Sequence, residues 1–381
     1  MASPDRKGLL RLLYVVVFLI SMATGTAMEL VPVQAEGMGV SLLDIGIMGT
    51  GSAAAYTVMT LIAGSLLDRT ERLRIFLAFN AASVLGMVWL WIAPDFASVF
   101  AARMAMGFIG GAFFVSAGAI TADLAPPEAL THAIGRYNLS WMVGFIVGPA
   151  FGGAVADAWG YSSLWLILTV VLVAGVAVNV VMVRLIRLRP EPKKEFFDVS
   201  AVFGLRYAYL AMVPYALGLG IYFYILPGYM AQLGMSATAI GVLLALSGAV
   251  KSAGFYYSER VVGLGARRGL LVGSLLLCAS LVTLGLVSTD AGFAFPLAVF
   301  GLSNGMIEPI ILDHIAHGSP RGSLGATMGV YEGMYGAFTC VSPLAAGYLS
   351  ELVPVSSVYV ALGAVALGII PIAQRMKTSY E

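Results

Sequence analysis

The sequence predicts an all-α membrane protein, twelve transmembrane helices in two pseudo-symmetric six-helix bundles. Three observations lead there. First, 60% of the 381 residues are hydrophobic and only 11% are charged, 21 Lys and Arg with 20 Asp and Glu. A soluble chain of this length would carry about 95 such charges. Second, the apolar residues fall in long runs, and twelve spans of about 20 residues use roughly 240 residues, close to what the hydrophobic fraction supplies. Third, the two halves of the chain repeat each other. A soluble enzyme, a nucleic-acid binder and a disordered chain are excluded by the composition alone.

Charge and turn residues bound each span in order. Span one, near 9–33, starts behind Arg6, Lys7 and Arg11 and stops before Glu36. Span two (43–66) ends at Arg69, Arg72 and Arg74, and span three (75–93) runs from there to Asp95. Span four (96–120) returns toward Arg136, span five (133–156) rises to Asp157, and span six (163–186) descends to a basic stretch. That stretch, 187–206, reads RLRPEPKKEFFDVSAVFGLR and divides the chain into domains 1–186 and 207–381 with a cytoplasmic linker between. Spans seven (207–231) and eight (238–258) lead to Arg260, Arg267 and Arg268, and span nine (269–288) reaches Asp290. Spans ten (292–314) and eleven (322–349) flank Arg321 and end at Glu351, and span twelve (354–373) stops before Arg375 and Lys377. All must be helices, because an open backbone cannot face lipid.

Nineteen of the 21 basic residues then lie on one side, and the opposite loops carry only acids. The positive-inside rule makes both termini cytoplasmic in a multi-pass cell-membrane protein. No cleavable signal peptide is expected, since the first apolar run is too long and lacks a small-residue cleavage site. Cys278 and Cys340 sit in apolar runs of different spans and imply no disulfide framework.

The repeat has an offset of 194–195. Pro32, Gly39, Ser41, Ile45 and Gly46 return as Pro227, Gly234, Ser236, Ile240 and Gly241. Gly107, Gly111, Pro126, Pro149 and Gly153 return as Gly301, Gly305, Pro320, Pro343 and Gly347. Six-plus-six parallel repeats build rocking transporters that hold substrate near the midplane.

Gly64-Ser-Leu66-Leu-Asp68-Arg69-Thr-Glu-Arg72 after span two resembles the loop 2–3 signature of the major facilitator superfamily, with Glu71 where that family prefers glycine. Arg103-x-x-x-Gly107-x-x-Gly110-Gly111 in span four is similar to the family's arginine-containing motif. Gly144-x-x-x-Gly148-Pro149-x-x-Gly152-Gly153 in span five resembles the motif of its proton-driven exporters. The resemblance covers the whole chain and implies the major facilitator fold. It further implies proton-coupled export of a small amphipathic or cationic solute by alternating access, in the manner of the twelve-span drug:proton antiporters. It says nothing of the substrate's identity.

The motifs also have physical readings. Asp68, Arg69 and Arg72 stand at a cytoplasmic helix end, where carboxylate and guanidinium can latch one conformation. Gly144, Gly148 and Gly152 share one helical face that permits close backbone contact. Pro149 deletes a helix hydrogen bond and permits a bend. Packing alone and a conformational role remain equally open for this set.

Five ionisable residues lie inside spans, where each costs roughly 2.5–3.5 kcal/mol on insertion scales. Glu29, Arg103, Lys251, Glu308 and Glu332 face Tyr224, Leu297, Tyr56, Phe114 and Asn138 in the repeat, so they depart from the scaffold. Glu29, Arg103, Glu308 and Glu332 are the candidate proton-coupling residues. Depth allows Lys251 to pair with Glu332 or Glu308, a pair that protonation would dissolve. A structural ion pair is the alternative for each. Pro309 is expected to break span ten and free the Gly305 carbonyl. Lys251, Tyr222, Tyr224, Asn304, Tyr331 and Tyr335 are the candidate substrate-binding residues, Tyr215 and Phe223 belong to the same aromatic set, and such a wall suits cationic solutes. Lipid-facing or core packing is the alternative for that set. Glycines 218 and 220 with Pro227-Gly228 make span seven bendable.

Asp313, His314 and His317 have helical spacing, but a capping pair at a helix end explains them better than a metal site. No cofactor, nucleotide fingerprint or nucleophile motif is present, so the chain reads as a transporter without enzymatic activity. Its expected partners are a small-molecule substrate, protons and the bilayer, with no nucleic acid, and it is expected to act as a monomer. An importer of a small organic anion, metal efflux and a non-transporting sensor are the alternatives.

Overall fold

A computed structural model describes residues 6–67, 69–186, 188, 199–320 and 323–376. Among the described residues there is no strand. The helices of the first part are α1 (Arg6–Gly37), α2 (Leu42–Leu67), α3 (Arg72–Ile92), α4 (Phe96–Leu124) and α5 (Leu130–Leu185). The short α6 (Val199–Gly204) precedes α7 (Arg206–Tyr224), α8 (Leu226–Gln232), α9 (Ala237–Tyr256) and α10 (Ser258–Gly263). The rest are α11 (Ala266–Leu286), α12 (Asp290–Gly318), α13 (Leu324–Leu352), α14 (Val355–Ala366) and α15 (Ile369–Ala373).

A helix stands at every expected span, and the differences from the sequence expectations have local causes. Nine helices among the described residues are long and apolar enough to cross a bilayer, or ten if the bent pair α7–α8 counts as one. The 56 residues of α5 have a helical contour of about 84 Å, enough for more than two bilayer cores. Its two crossings join at Gly160, where φ +79° and ψ 164° interrupt the helix. Span seven bends by 45° between α7 and α8, next to Pro227, whose missing N–H opens the helix there. Pro309, expected to break span ten, does not: α12 runs unbroken through both Pro296 and Pro309. The loss of one hydrogen bond is absorbed within a long, mostly buried helix.

The residues cluster into two compact units. One comprises Met1–Val40, Gly51–Pro192 and Ser236–Ala245; the other comprises Ser41–Thr50, Lys193–Met235 and Leu246–Glu381. In the first unit, α5 lies against α1 because Gly144, Gly148 and Gly152 leave no room for a Cβ against Phe18, Met22 and Thr26. Trp165, fully buried, donates its indole N–H to Gln34 Oε1 at 2.9 Å. Gly107 and Gly111 seat α4 against the Ser52 and Tyr56 carbonyls of α2. The second unit repeats that contact, with Gly301 and Gly305 of α12 against the Ser247 and Lys251 carbonyls of α9.

Two further seams obey the repeat. In the first unit the middle of α5 meets the start of α9, with Gly241 against the Pro149 carbonyl and Gly153 against the Ala237 carbonyl. In the second unit the start of α2 meets the C-terminal part of α13, with Gly46 against the Pro343 carbonyl and Gly347 against the Leu42 carbonyl. A side chain at any of the four would collide with backbone, which cannot rotate away. Gly39 and Gly234, also repeat partners, turn the chain ahead of α2 and α9 with φ +80° and +83°.

The seams are fastened differently. Asp157 accepts hydrogen bonds from the backbone N–H of Ala237 at 3.1 Å and of Thr238 at 2.8 Å, capping α9 from 80 residues away. Burial opposes the charge of Asp157, but these bonds and those from the Thr238 and Ser236 side chains hold its carboxyl below the ordinary aspartate value. In the second unit Thr50 fastens α2 instead, donating to the Cys340 carbonyl at 2.6 Å and accepting from the Leu344 N–H at 3.2 Å.

Candidate functional site

The second unit holds the densest group of ionisable and aromatic side chains inside spans. Lys251 on α9 places Nζ 3.0 Å from Glu308 Oε2 on α12, each side chain 22% exposed. The buried Tyr215 of α7 donates its hydroxyl to the same carboxylate oxygen. The Lys251 ammonium also lies 6.0 Å from the Tyr215 ring centroid and 5.6 Å from that of Phe255. Of the two partners that depth allowed Lys251, the structure selects Glu308. Gly254 and Gly305, in backbone contact, bring α9 and α12 close enough for the pair to form.

Tyrosines extend from this pair along α13. Tyr335 lies 6.2 Å from Tyr215 and stacks on Tyr331 at 6.3 Å, centroid to centroid. Tyr222 stacks on Phe300 at 4.9 Å, and the buried Tyr224 packs against Gly49. Tyr215, Tyr222 and Tyr224 of α7 are buried within the unit, whereas Tyr207 near its start is partly exposed. Asn304, one turn before Glu308, donates to the Phe300 carbonyl at 2.6 Å, while its Oδ1 is buried without a partner among the described residues. The Tyr331 hydroxyl is buried and unpartnered in the same sense. Buried polar atoms left without protein partners call for one from elsewhere.

Glu332, on α13, is exposed and has no hydrogen bond or ion pair among the described residues. With Lys251 answered by Glu308, the carboxylate of Glu332 is in excess, so this unit's group carries net negative charge when both acids are ionised.

In the first unit, Glu29 is 3% exposed and its Oε2 has no hydrogen-bond partner among the described residues. Arg103, 5% exposed on α4, lies where α4 crosses α2, its carbonyl accepting from Ser52 Oγ at 3.3 Å. Toward the predicted cytoplasmic ends, Arg72 binds Asp123 at 2.6 Å and joins α3 to the end of α4. Arg74 pairs with Glu71 at 2.9 Å, Arg69 is exposed and Gly64 meets nothing within 4 Å of a built Cβ. Asp68 lies outside the described residues. Asp313 and His317 pair at 3.1 Å across one helical turn, and His314 is not part of that contact.

Three participants were not singled out by their chemistry in the sequence. Tyr215 was visible only as one aromatic among several, since nothing local marks it as a donor to a carboxylate 93 residues away. Asp123 ends an apolar helix with no motif around it, and Asp157 was one loop acid among five. The basic partner of each, or its backbone partner, is remote in sequence.

A family model described as Major Facilitator Superfamily matches residues 13–204 and 208–376. Among curated relatives, the chain is 25% identical over 358 residues to "Multidrug efflux pump Tap" of Mycolicibacterium fortuitum, covering 84% of each chain. It is 22% identical over 364 residues to "Multi-drug resistance efflux pump PmrA" of Streptococcus pneumoniae, covering 91% of this chain and 90% of that one. Among solved structures, a bacterial homolog of the human lysosomal transporter Spinster, inward-facing and unoccupied, superposes with a TM-score of 0.74 at 16% identity over 98% of this chain and 95% of that one. A POT family transporter superposes with a TM-score of 0.78 at 13% identity over 95% of this chain and 94% of that one.

Proposed function

The chain belongs to the Major Facilitator Superfamily, and from that premise we propose that it exports small amphipathic or cationic solutes in exchange for protons by alternating access. It is a multi-pass membrane protein of the all-α class. The reading places both termini in the cytoplasm and takes the chain to act as a monomer, with substrate, protons and bilayer as its partners and no enzymatic step. The six-plus-six division at 187–206 is part of the same reading.

The observation that carries it is the unequal pairing of the carboxylates inside spans. Glu308 has its charge answered by Lys251 and Tyr215. Glu332 and Glu29 have no cation recorded against them among the described residues. A group that exchanges protons during transport must be able to lose its charge without stranding a buried partner. Glu332, exposed, is our assignment for the proton-exchanging carboxylate, and Glu29 is its counterpart in the first unit. Arg103 is assigned to coupling through the resemblance of its motif. Support for export comes from relatives that cover most of the chain and carry efflux-pump names. The anion-import alternative takes Lys251 and Arg103 as counter-charges to the substrate, and it is the less favoured reading because the Lys251 ammonium rests 3.0 Å from Glu308.

Reconstituted protein given an inward-directed proton gradient is expected to move an aromatic cation, and Glu332→Gln is expected to abolish that movement while the melting temperature stays within a few degrees. Unchanged gradient-driven flux in the variant overturns the coupling role.

A further inference from the structure

The contacts of the Lys251 ammonium are those that a substrate cation would want. One carboxylate oxygen lies at 3.0 Å, and two aromatic rings lie at 6.0 and 5.6 Å from centroid to nitrogen, within cation–π range. A cage of carboxylate and ring faces is a receptor for an alkylammonium. Here the cage is filled by the chain's own side chain. The lysine tether is long and flexible and its terminal group is a compact, rotatable cation, so it can leave the cage as well as fill it.

Next to the cage stand polar atoms that the protein does not satisfy. Asn304 Oδ1 is one turn away on α12, and the Tyr331 hydroxyl is on α13, whose Tyr335 ring adjoins Tyr215. Both accept hydrogen bonds, and the Lys251 ammonium is recorded at neither. A ligand carrying N–H donors on a cationic nitrogen, attached to a flat ring, answers these groups and the stacked tyrosines together.

Resting on the export reading above, we infer that the Glu308–Tyr215–Phe255 cage binds the ammonium group of protonated arylalkyl amines, and that Lys251 is a resident competitor which the substrate displaces. Lys251 thereby sets specificity: it weakens every cation equally and leaves neutral solutes untouched. A site occupied by its own side chain nine-tenths of the time binds tenfold more weakly than the empty cage. The displaced lysine also returns to Glu308 when the substrate leaves, which spares the half-buried carboxylate from standing without a partner.

The test uses 1-naphthylmethylammonium as probe, whose CH2–NH3+ end matches that of lysine, and 1-naphthylmethanol as its neutral isostere. Binding is titrated on purified full-length protein. Lys251→Met removes the charge at nearly constant volume and is expected to tighten the ammonium at least tenfold, about 1.4 kcal/mol, and to leave the alcohol within twofold. Lys251→Arg keeps a cation in the cage and is expected to bind the ammonium no more tightly than the natural protein. Adding Glu308→Gln to Lys251→Met is expected to erase the gain. If Lys251→Met does not fold, Lys251→Gln, which retains a hydrogen bond to Glu308, carries the same expectation.

Equal tightening of ammonium and alcohol, no tightening at all, or a gain that survives Glu308→Gln overturns the inference. If any of these occurs while the natural protein still carries the ammonium under a proton gradient, the export reading stands and only the resident competitor falls. If no form of the protein binds or carries the ammonium, the assignment of the site falls with it.

Discussion

Removal of Asp157 tests whether a single carboxylate keeps the α5–α9 seam shut. Its two oxygens accept the Ala237 and Thr238 N–H groups at 3.1 and 2.8 Å, so alanine leaves two backbone donors at the start of α9 without partners. Loss of an N-cap costs about 1 kcal/mol, within a range of roughly 0.5–2. That corresponds to about a fivefold rise in the open fraction of the seam. The assay is maleimide labelling of a cysteine placed at Ala150, which sits against Gly241, in a background lacking Cys278 and Cys340. Asp157→Ala is expected to label about fivefold faster, and Asp157→Asn, which keeps one acceptor, at an intermediate rate. The sign with pH follows from the carboxyl lying below its ordinary value: the cap's contribution is complete above the unfolded aspartate value, near 4, and is lost only as pH falls through the lower folded value. The ratio of the Asp157→Ala rate to the natural protein's, in which the thiolate fraction of the labelled cysteine cancels, is therefore expected to be flat from pH 5 to 8. A rate in Asp157→Ala within experimental error of the natural protein, or a steep change of that ratio between pH 5 and 8, refutes the reasoning.

Gly241→Ala drives a methyl group into the Pro149 carbonyl and is expected to destabilise by about 1–3 kcal/mol as overpacking, read as a lower melting temperature, whereas Gly263→Ala, which meets nothing, is expected to leave it unchanged. Asn80 and Asn179 are fully buried with neither amide atom bonded among the described residues. The Arg72 N–H bonds the Leu188 carbonyl at 3.2 Å, and the two asparagines lie eight and nine residues from that bond, on α3 and α5 respectively. Replacing both by leucine is expected to stabilise the fold by about 1–3 kcal/mol, since unsatisfied buried amides are lost and nothing is left orphaned; a lower denaturation midpoint for the double variant counts against it.

Much of the architecture could be read in the chain because bilayer physics leaves few options: spans must be helical, apolar and flanked by charge. The internal repeat carried more than symmetry. Gly46, Gly241, Gly153 and Gly347, noticed as repeated letters, are the four positions where backbones touch in the two seams. Gly39 and Gly234, another repeated pair, share a left-handed turn. Spacing could not foretell which unit claims each helix end. The first turns of α2 and α9 cluster with residues far along the chain, and only contacts reveal that. In the candidate site, each charged residue stood out because the bilayer penalises it, and depth narrowed the partners of Lys251 to two. The choice of Glu308, and the part played by Tyr215, came from the approach of three helices that share no local sequence. Pro309 illustrates the opposite error, a strong local signal that a long buried helix overrides.

Gly160 has a mechanical consequence. One residue joins two membrane crossings within α5, with helix on both sides of it. A conventional connector of several residues damps movement, because each added bond can rotate independently. A one-residue joint has almost no slack, so a tilt of the crossing that holds Pro149 must be passed to the crossing that holds Trp165 and Asn179. The pair behaves as an elbow. Lengthening it with a few flexible residues at position 160 should uncouple the two arms without altering a single contact inside either.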